Sequence, residues 1–229
     1  MLKYNHKIDL KKYLDKYVNC SAVVVGSGPT TFQYEDLSKF NCPIFFINDT
    51  VRYESYAKIK PFFHSHHRSL YVQLVKRSTF LFPLVQYRGN NVIEYEKGMP
   101  LSNYIPFDMQ LDITKNDYEN NLSLSNFPDW VLDKEKVCDK NCLFGHTGTI
   151  TTLLHFIWFC NFNKITFIGC NPKFISSGHD KRIIDTFNPK NKKWAGWNLK
   201  PIIENQNKFI EHFKLNVDFI GDYNSTTCS

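Results

Sequence analysis

The sequence predicts an α/β domain in which a mostly parallel sheet is flanked by helices. Three observations carry that expectation. Ala22-Val23-Val24-Val25 and Pro43-Ile44-Phe45-Phe46-Ile47 are unbroken apolar runs, and strands without polar alternation belong to sheets buried on both faces. Such runs alternate along the chain with helical periodicity, clearest from Ile202 to Phe213. A glycine turn, Gly26-Ser27-Gly28-Pro29-Thr30, directly follows the first run, where a strand bends into a helix.

Taken in order, residues 1–20 form an N-terminal segment. Within it Ile8, Leu10, Tyr13, Leu14 and Tyr17 recur at helical spacing and predict a short amphipathic helix over 7–19. Residues 21–222 read as one Rossmann-like nucleotide-binding domain. Its strands fall at 22–25, 43–47, 60–64 and 79–85. Pro29 suits the first position of a helix running through Asp36 and Leu37, and a short helix is expected over 69–77. Pro83 lacks a ladder donor, which makes the fourth strand irregular or an edge strand. Periodicity then fails from about 90 to 141, a stretch rich in Asn, Asp, Pro and Ser. It reads as an irregular, lid-like insertion anchored locally at 128–131. An apolar helix follows over 148–159, a strand over 165–169, a polar loop over 171–193, the amphipathic helix over 202–213 and a last strand over 217–220. Residues 223–229 read as a disordered tail.

With 229 residues, 42% of them hydrophobic, the chain is long enough to bury a sizeable core. A net charge of +6 suits an anionic ligand, and without a Lys/Arg block it gives no reason to expect nucleic acid as a partner. The N-terminus lacks the apolar centre of a signal peptide, and no run approaches the roughly 18 apolar residues of a membrane span. A cytoplasmic protein without a transmembrane segment is expected. Of the seven cysteines only Cys138 and Cys142 are close neighbours. Reduced, mostly buried thiols are therefore expected, and no zinc site.

Five constellations are candidates for chemistry. Gly26, Ser27, Gly28 and Pro29 permit a tight turn and a close backbone approach to phosphate, with a helix N-terminus behind them. Thr31 stands where a third glycine would complete the dinucleotide pattern, and no lysine follows as in a P-loop. The alternative is a purely structural turn. Asn48, at the end of the second strand, would read a ribose or base, or else close an Asx-turn. His64, His66, His67 and Arg68 end the third strand and suit an anion or sugar, a metal, or plain solvation. His146, Thr147 and Gly148 open the apolar helix and either bind a phosphate or carboxylate or simply cap it. His179 beside Asp180 is a candidate general base in the polar loop, with Lys181 and Arg182 placed to neutralise a phosphate, or with all four solvated.

The order of these motifs, from Val23-Val24-Val25-Gly26-Ser27-Gly28-Pro29-Thr30 through Asn48 and His146-Thr147-Gly148 to the strand Ile165–Gly169 and Asn171, resembles the bacterial sialyltransferases of glycosyltransferase family 42. It also resembles the related Rossmann-like family of archaeal 6-hydroxymethylpterin diphosphokinases. The likeness covers the sheet framework at both ends of the chain and leaves out the middle. It implies a CMP-type nucleotide-sugar donor, a glycan or small-molecule acceptor, and inverting transfer assisted by a histidine. Gly26, Ser27, Gly28, Pro29, Asn48, Thr147, Gly148 and Asn171 would bind the nucleotide. His179 would be the base, with His146 or His64 in its stead, and Lys173, Lys181 and Arg182 would neutralise the phosphate. No cofactor is obligatory in that reading. The diphosphotransferase alternative takes ATP with Mg²⁺ and needs carboxylates such as Asp49. A non-catalytic nucleotide- or glycan-binding domain is the third reading. The chain departs from the sialyltransferase pattern where Trp194, Gly196 and Trp197 occupy the region of the family's histidine base, where Asn171 replaces a common Asp, and where Lys173 and Phe174 stand in place of tyrosines.

Overall fold

The computed structural model describes residues 9–26, 37–47, 50, 63–65, 79–88, 91–94, 104–111, 124–146, 149–170 and 200–220, some of the strands by their backbone alone. Among the described residues nine strands form one sheet: β1 (Ser21–Val25), β2 (Ile44–Ile47), β3 (Phe63–Ser65), β4 (Thr79–Arg88), β5 (Asn91–Glu94), β6 (Tyr104–Leu111), β7 (Cys142–Phe144), β8 (Lys164–Ile168) and β9 (Val217–Ile220). Their order is β7-β6-β4-β3-β2-β1-β8-β9, with β5 hydrogen-bonded to β4 off that path. Every pairing is parallel except β4 with β5. Helices α1 (Lys134–Lys140), α2 (Thr149–Phe159) and α3 (Lys200–His212) accompany the sheet. The chain is thus an α/β protein with a largely parallel sheet.

The unbroken apolar strands behave as their composition requires. Alternate residues of β1 enter two separate cores. Ala22 and Val24 join Phe45, Phe156, Phe167 and Phe209 on one face, while Val23 and Val25 join Leu37, Phe46 and Ile168 on the other. A strand buried on both faces has no solvent side on which polar residues would be favoured. Helix α2 is apolar nearly all round and is accordingly buried.

Residues 90–141 are not irregular throughout. They contain β5, β6, α1 and the turn at Val131, whose N–H donates to the Pro128 carbonyl at 3.1 Å. Strand β6 was hidden because Pro106 interrupts it and its flanks are rich in Asn and Asp, although Asp108 and Gln110 alternate with Phe107, Met109 and Leu111 as in a half-buried strand. The expected irregularity at Pro83 is present as a register shift between Pro83 and Val85. The helix expected over 7–19 is only a 3-10 turn, Leu10–Tyr13, capped by the Asp9 carboxylate. Asp15 and Asn19 take positive φ of 49° and 64°, which an α-helix excludes. The expected helices after Pro29 and over 69–77, and the tail over 223–229, lie outside the described residues.

Among the described residues no helix is long and apolar enough to cross a membrane.

Candidate functional site

The strand order reverses beside β1. From β1 the chain steps outward through β2, β3 and β4, and it later returns to the other side of β1 as β8 and then β9. Where neighbouring strands lead their connections in opposite directions, a crevice opens outside their carboxyl ends. Here those ends are Val25-Gly26 and Ile168-Gly169-Cys170.

The two ends are in contact. The Gly26 N–H donates to the Ile168 carbonyl at 2.8 Å. A β-carbon on Gly26 would strike the Cys170 sulfur and would lie 2.7 Å from the Gly169 carbonyl oxygen. Gly26 is therefore a residue of packing as well as of turning. Gly169 has a positive φ of 67°, which lets β8 turn away at once. Burial pushes the Cys170 thiol up to about 12, with the Gly26 backbone N–H pulling weakly the other way. Cys170 is a protonated packing group, since only the thiolate is a strong nucleophile.

At the end of β2, Thr50 is fully buried and its hydroxyl donates to the Ile47 carbonyl at 2.6 Å. That hydroxyl closes the strand. His64 lies within β3, in register with Phe46 and Phe80.

A buried polar group joins the far side of this sheet edge. His146 follows β7 and is almost completely buried, and its N–H donates to the Thr151 hydroxyl of α2 at 2.9 Å. On α3, Asn205 accepts the Leu124 N–H at its Oδ1 (2.8 Å) and meets His146 Nδ1 with its Nδ2 (3.1 Å). The neighbouring Gln206 donates from Nε2 to the Cys170 carbonyl at 3.5 Å. Two consecutive residues of one helix thus reach the ends of both β7 and β8. In a flat sheet the six strand spacings between β7 and β8, each about 4.8 Å, would hold them roughly 29 Å apart. Consecutive side chains cannot bridge that gap, so the sheet curls and draws its carboxyl edge together.

The chemistry of His146 follows from these bonds. Leu124 N–H is a donor, so the Asn205 atom facing it is the oxygen, and Nδ2 faces the ring. An amide N–H donates, and His146 Nδ1 therefore accepts. In the neutral ring the proton then resides on Nε2. With its proton on Nε2, the neutral ring has no lone pair there, which a general base would need.

No family model matches the chain, and no curated protein does either.

Of the sequence-predicted residues, Gly26 stands at the crevice and His146 on the buried polar group. Ser27, Gly28, Pro29, Asn48, Thr147, Gly148, Asn171, Lys173, His179, Lys181 and Arg182 lie outside the described residues. Among the described residues no group of three His, Cys, Asp or Glu side chains is arranged to hold a metal. Sequence reasoning missed Thr151, Asn205 and Gln206. One signal was present for Asn205, which sits four residues before Phe209 in the apolar stripe of its helix. A polar residue inside such a stripe is one that must find a partner.

Proposed function

We propose that the chain is a Rossmann-like nucleotide-binding protein and a sialyltransferase-like glycosyltransferase, with a CMP-linked sugar as donor. One observation carries the nucleotide reading. The strand order reverses between β1 and β8, and at that point Gly26 is packed too closely against Gly169 and Cys170 to tolerate a side chain. Ligands of open parallel sheets bind at this point, against the turn that follows the first strand. The sequence supplies there Ser27, Gly28 and Pro29, with Asn48 after the next strand and Asn171 after Cys170. The choice of CMP and of sugar transfer rests on the motif resemblance.

In this reading His179 takes the proton from an acceptor hydroxyl. The acceptor oxygen attacks the anomeric carbon and the bond to the phosphate oxygen breaks, with inversion. That oxygen leaves with the electron pair as CMP, its charge offset by Lys173, Lys181 and Arg182. His64 stands as the other candidate base.

The test is thermal stabilisation by CMP, compared with ATP plus Mg²⁺, followed by turnover assays with CMP-linked sugars. Stabilisation by CMP and release of CMP in the presence of an acceptor uphold the reading. Stabilisation by ATP with Mg²⁺ alone moves the chain to diphosphotransfer. CMP binding without turnover of any donor leaves a binding domain.

A further inference from the structure

We propose that residues 124–131 form a strap fixed at both ends and latched at its middle by His212. The strap lies closed on α3 while the His212 ring is neutral, and it lifts at Phe127 when the ring takes up a proton.

One side of α3 holds the strap. Asn205, Lys208, Phe209 and His212 are spaced i, i+3, i+4 and i+7 and so share a helix face. Asn205 accepts the Leu124 N–H at 2.8 Å, and the Lys208 ammonium donates to the Leu124 carbonyl at 2.6 Å. Both backbone groups of Leu124 are thus fixed by side chains. At the other end the Val131 carbonyl accepts from His155 Nε2 at 3.0 Å. Leu124 and Val131 are buried, whereas Ser125, Asn126 and Asp129 between them are exposed. Phe127 holds this middle stretch down. Its ring meets Phe209 at 5.0 Å and Phe213 at 5.9 Å, and it lies flat on the His212 ring at 3.7 Å and 2°.

The latch tolerates only one charge state. His212 Nε2 is buried and has no hydrogen-bond partner among the described residues. A neutral ring can leave a lone pair there, but an imidazolium carries an N–H on both nitrogens, and a buried charged donor without an acceptor is costly. The face of Phe127 and the carboxyl end of α3 both attract a cation, yet neither gives Nε2 a hydrogen bond. The titratable groups on the packed elements do not supply it either. His155 on α2 is itself uncharged, Lys208 is a cation, and Asp129 and Glu211 are exposed. Lifting Phe127 lets water reach Nε2. Burial accordingly holds the closed His212 below its ordinary 6.5, so the open strap is the form that binds the proton. Above 6.5 the latch is fully set. Below it the open-to-closed ratio rises by up to about tenfold per pH unit, until the pH reaches the closed-state value.

An NMR titration of the full chain from about pH 7.5 to about pH 5, the range in which histidines change charge, tests this. His212 is expected to titrate below 6.5, and cross-relaxation between the His212 and Phe127 rings to fade with the same midpoint. Cross-relaxation between the stacked rings of Phe144 and Phe209, 5.6 Å and 3° apart, is expected to persist and to show that the core stays closed. Phe127→Ala should return the His212 midpoint toward 6.5. His212→Phe keeps a ring against Phe127 without a proton to gain, and its Phe127–Phe209 contact should not change with pH. Ring contacts that survive full protonation of His212, or a wild-type midpoint at or above 6.5, overturn the latch. So does loss of the Phe144–Phe209 contact at the same midpoint, which would mean general unfolding, or a pH-dependent Phe127–Phe209 contact in His212→Phe. If either variant fails to fold, the wild-type titration decides alone.

Discussion

The Phe144 N–H donates to His155 Nδ1 at 2.6 Å, so the edge strand β7 is held by a histidine eleven residues further on. The other ring nitrogen donates to the Val131 carbonyl at 3.0 Å. Phe213 stacks against the ring at 5.1 Å and 9°, and Trp158 lies at 5.4 Å. Both nitrogens are used, and the ring is neutral and structural.

The pH dependence of stability follows. Burial pulls His155 from its ordinary 6.5 down to about 3, with nearby His212 adding in the same sense and the bond to the Val131 carbonyl opposing. The folded pKa is depressed, so between about 3 and 6.5 the unfolded chain binds the extra proton. The contribution is complete above 6.5 and is lost as pH falls through that window, at up to about 1.4 kcal/mol per pH unit. His212, stacked on Phe127 at 3.7 Å, is also lowered by burial and acts in the same direction. Urea unfolding at a series of pH values should show this slope. His155→Phe should lower stability at neutral pH by about 2–4 kcal/mol, because it leaves two buried backbone groups unpaired, and should flatten the acid slope.

Gly26→Ala should destabilise the fold by roughly 1–3 kcal/mol, the usual cost of overpacking. The added carbon meets both the Cys170 sulfur and the Gly169 carbonyl. Adding Cys170→Ala removes the sulfur and leaves the carbonyl, so the double variant should regain only part of the loss. Denaturant midpoints of the three variants decide it. Full recovery would mean that the backbone contact carries no cost.

Gly28→Val should abolish CMP binding and leave the circular dichroism spectrum close to that of the wild type, because a side chain there blocks the approach of phosphate to the backbone. Titration of the folded variant with CMP checks this. Unchanged affinity would remove Gly28 from the site.

His179→Ala should lower kcat by roughly 10²–10⁴-fold with little change in nucleotide affinity, the pattern expected when a general base is lost. Steady-state kinetics with a CMP-linked sugar and direct CMP titration separate the two effects. A variant with full kcat would transfer the base role to His64.

The sheet framework was legible because burial on both faces imposes a simple pattern. Val23-Val24-Val25 and Phe45-Phe46 have no solvent side and therefore no polar residues. Strand β6 was not legible, since Pro106 interrupts its alternation, its flanks are rich in Asn and Asp, and its partner β4 lies more than ten residues away. The N-terminal periodicity misled for a different reason. Leu10 and Tyr17 are buried as a helix would require, yet the positive φ of Asp15 breaks the chain between them. At the site, Gly26 announced itself, whereas Asn205 was disguised by lying in an otherwise ordinary amphipathic helix. Its role depends on Leu124 and His146, which are near it only in three dimensions.

The place of β1 between β2 and β8 has a consequence for the birth of the molecule. Ser21 pairs with Lys164, and every residue of β1 needs a partner on β8. At the usual pace of translation, about 5–20 residues per second, the first strand waits roughly 7–30 seconds for that neighbour to be synthesised. During that time Ala22 to Val25 present an open apolar ribbon to whatever else is nearby. Nascent chains ending short of Lys164 should therefore be clients of chaperones, and the domain should close only when its last third has left the ribosome.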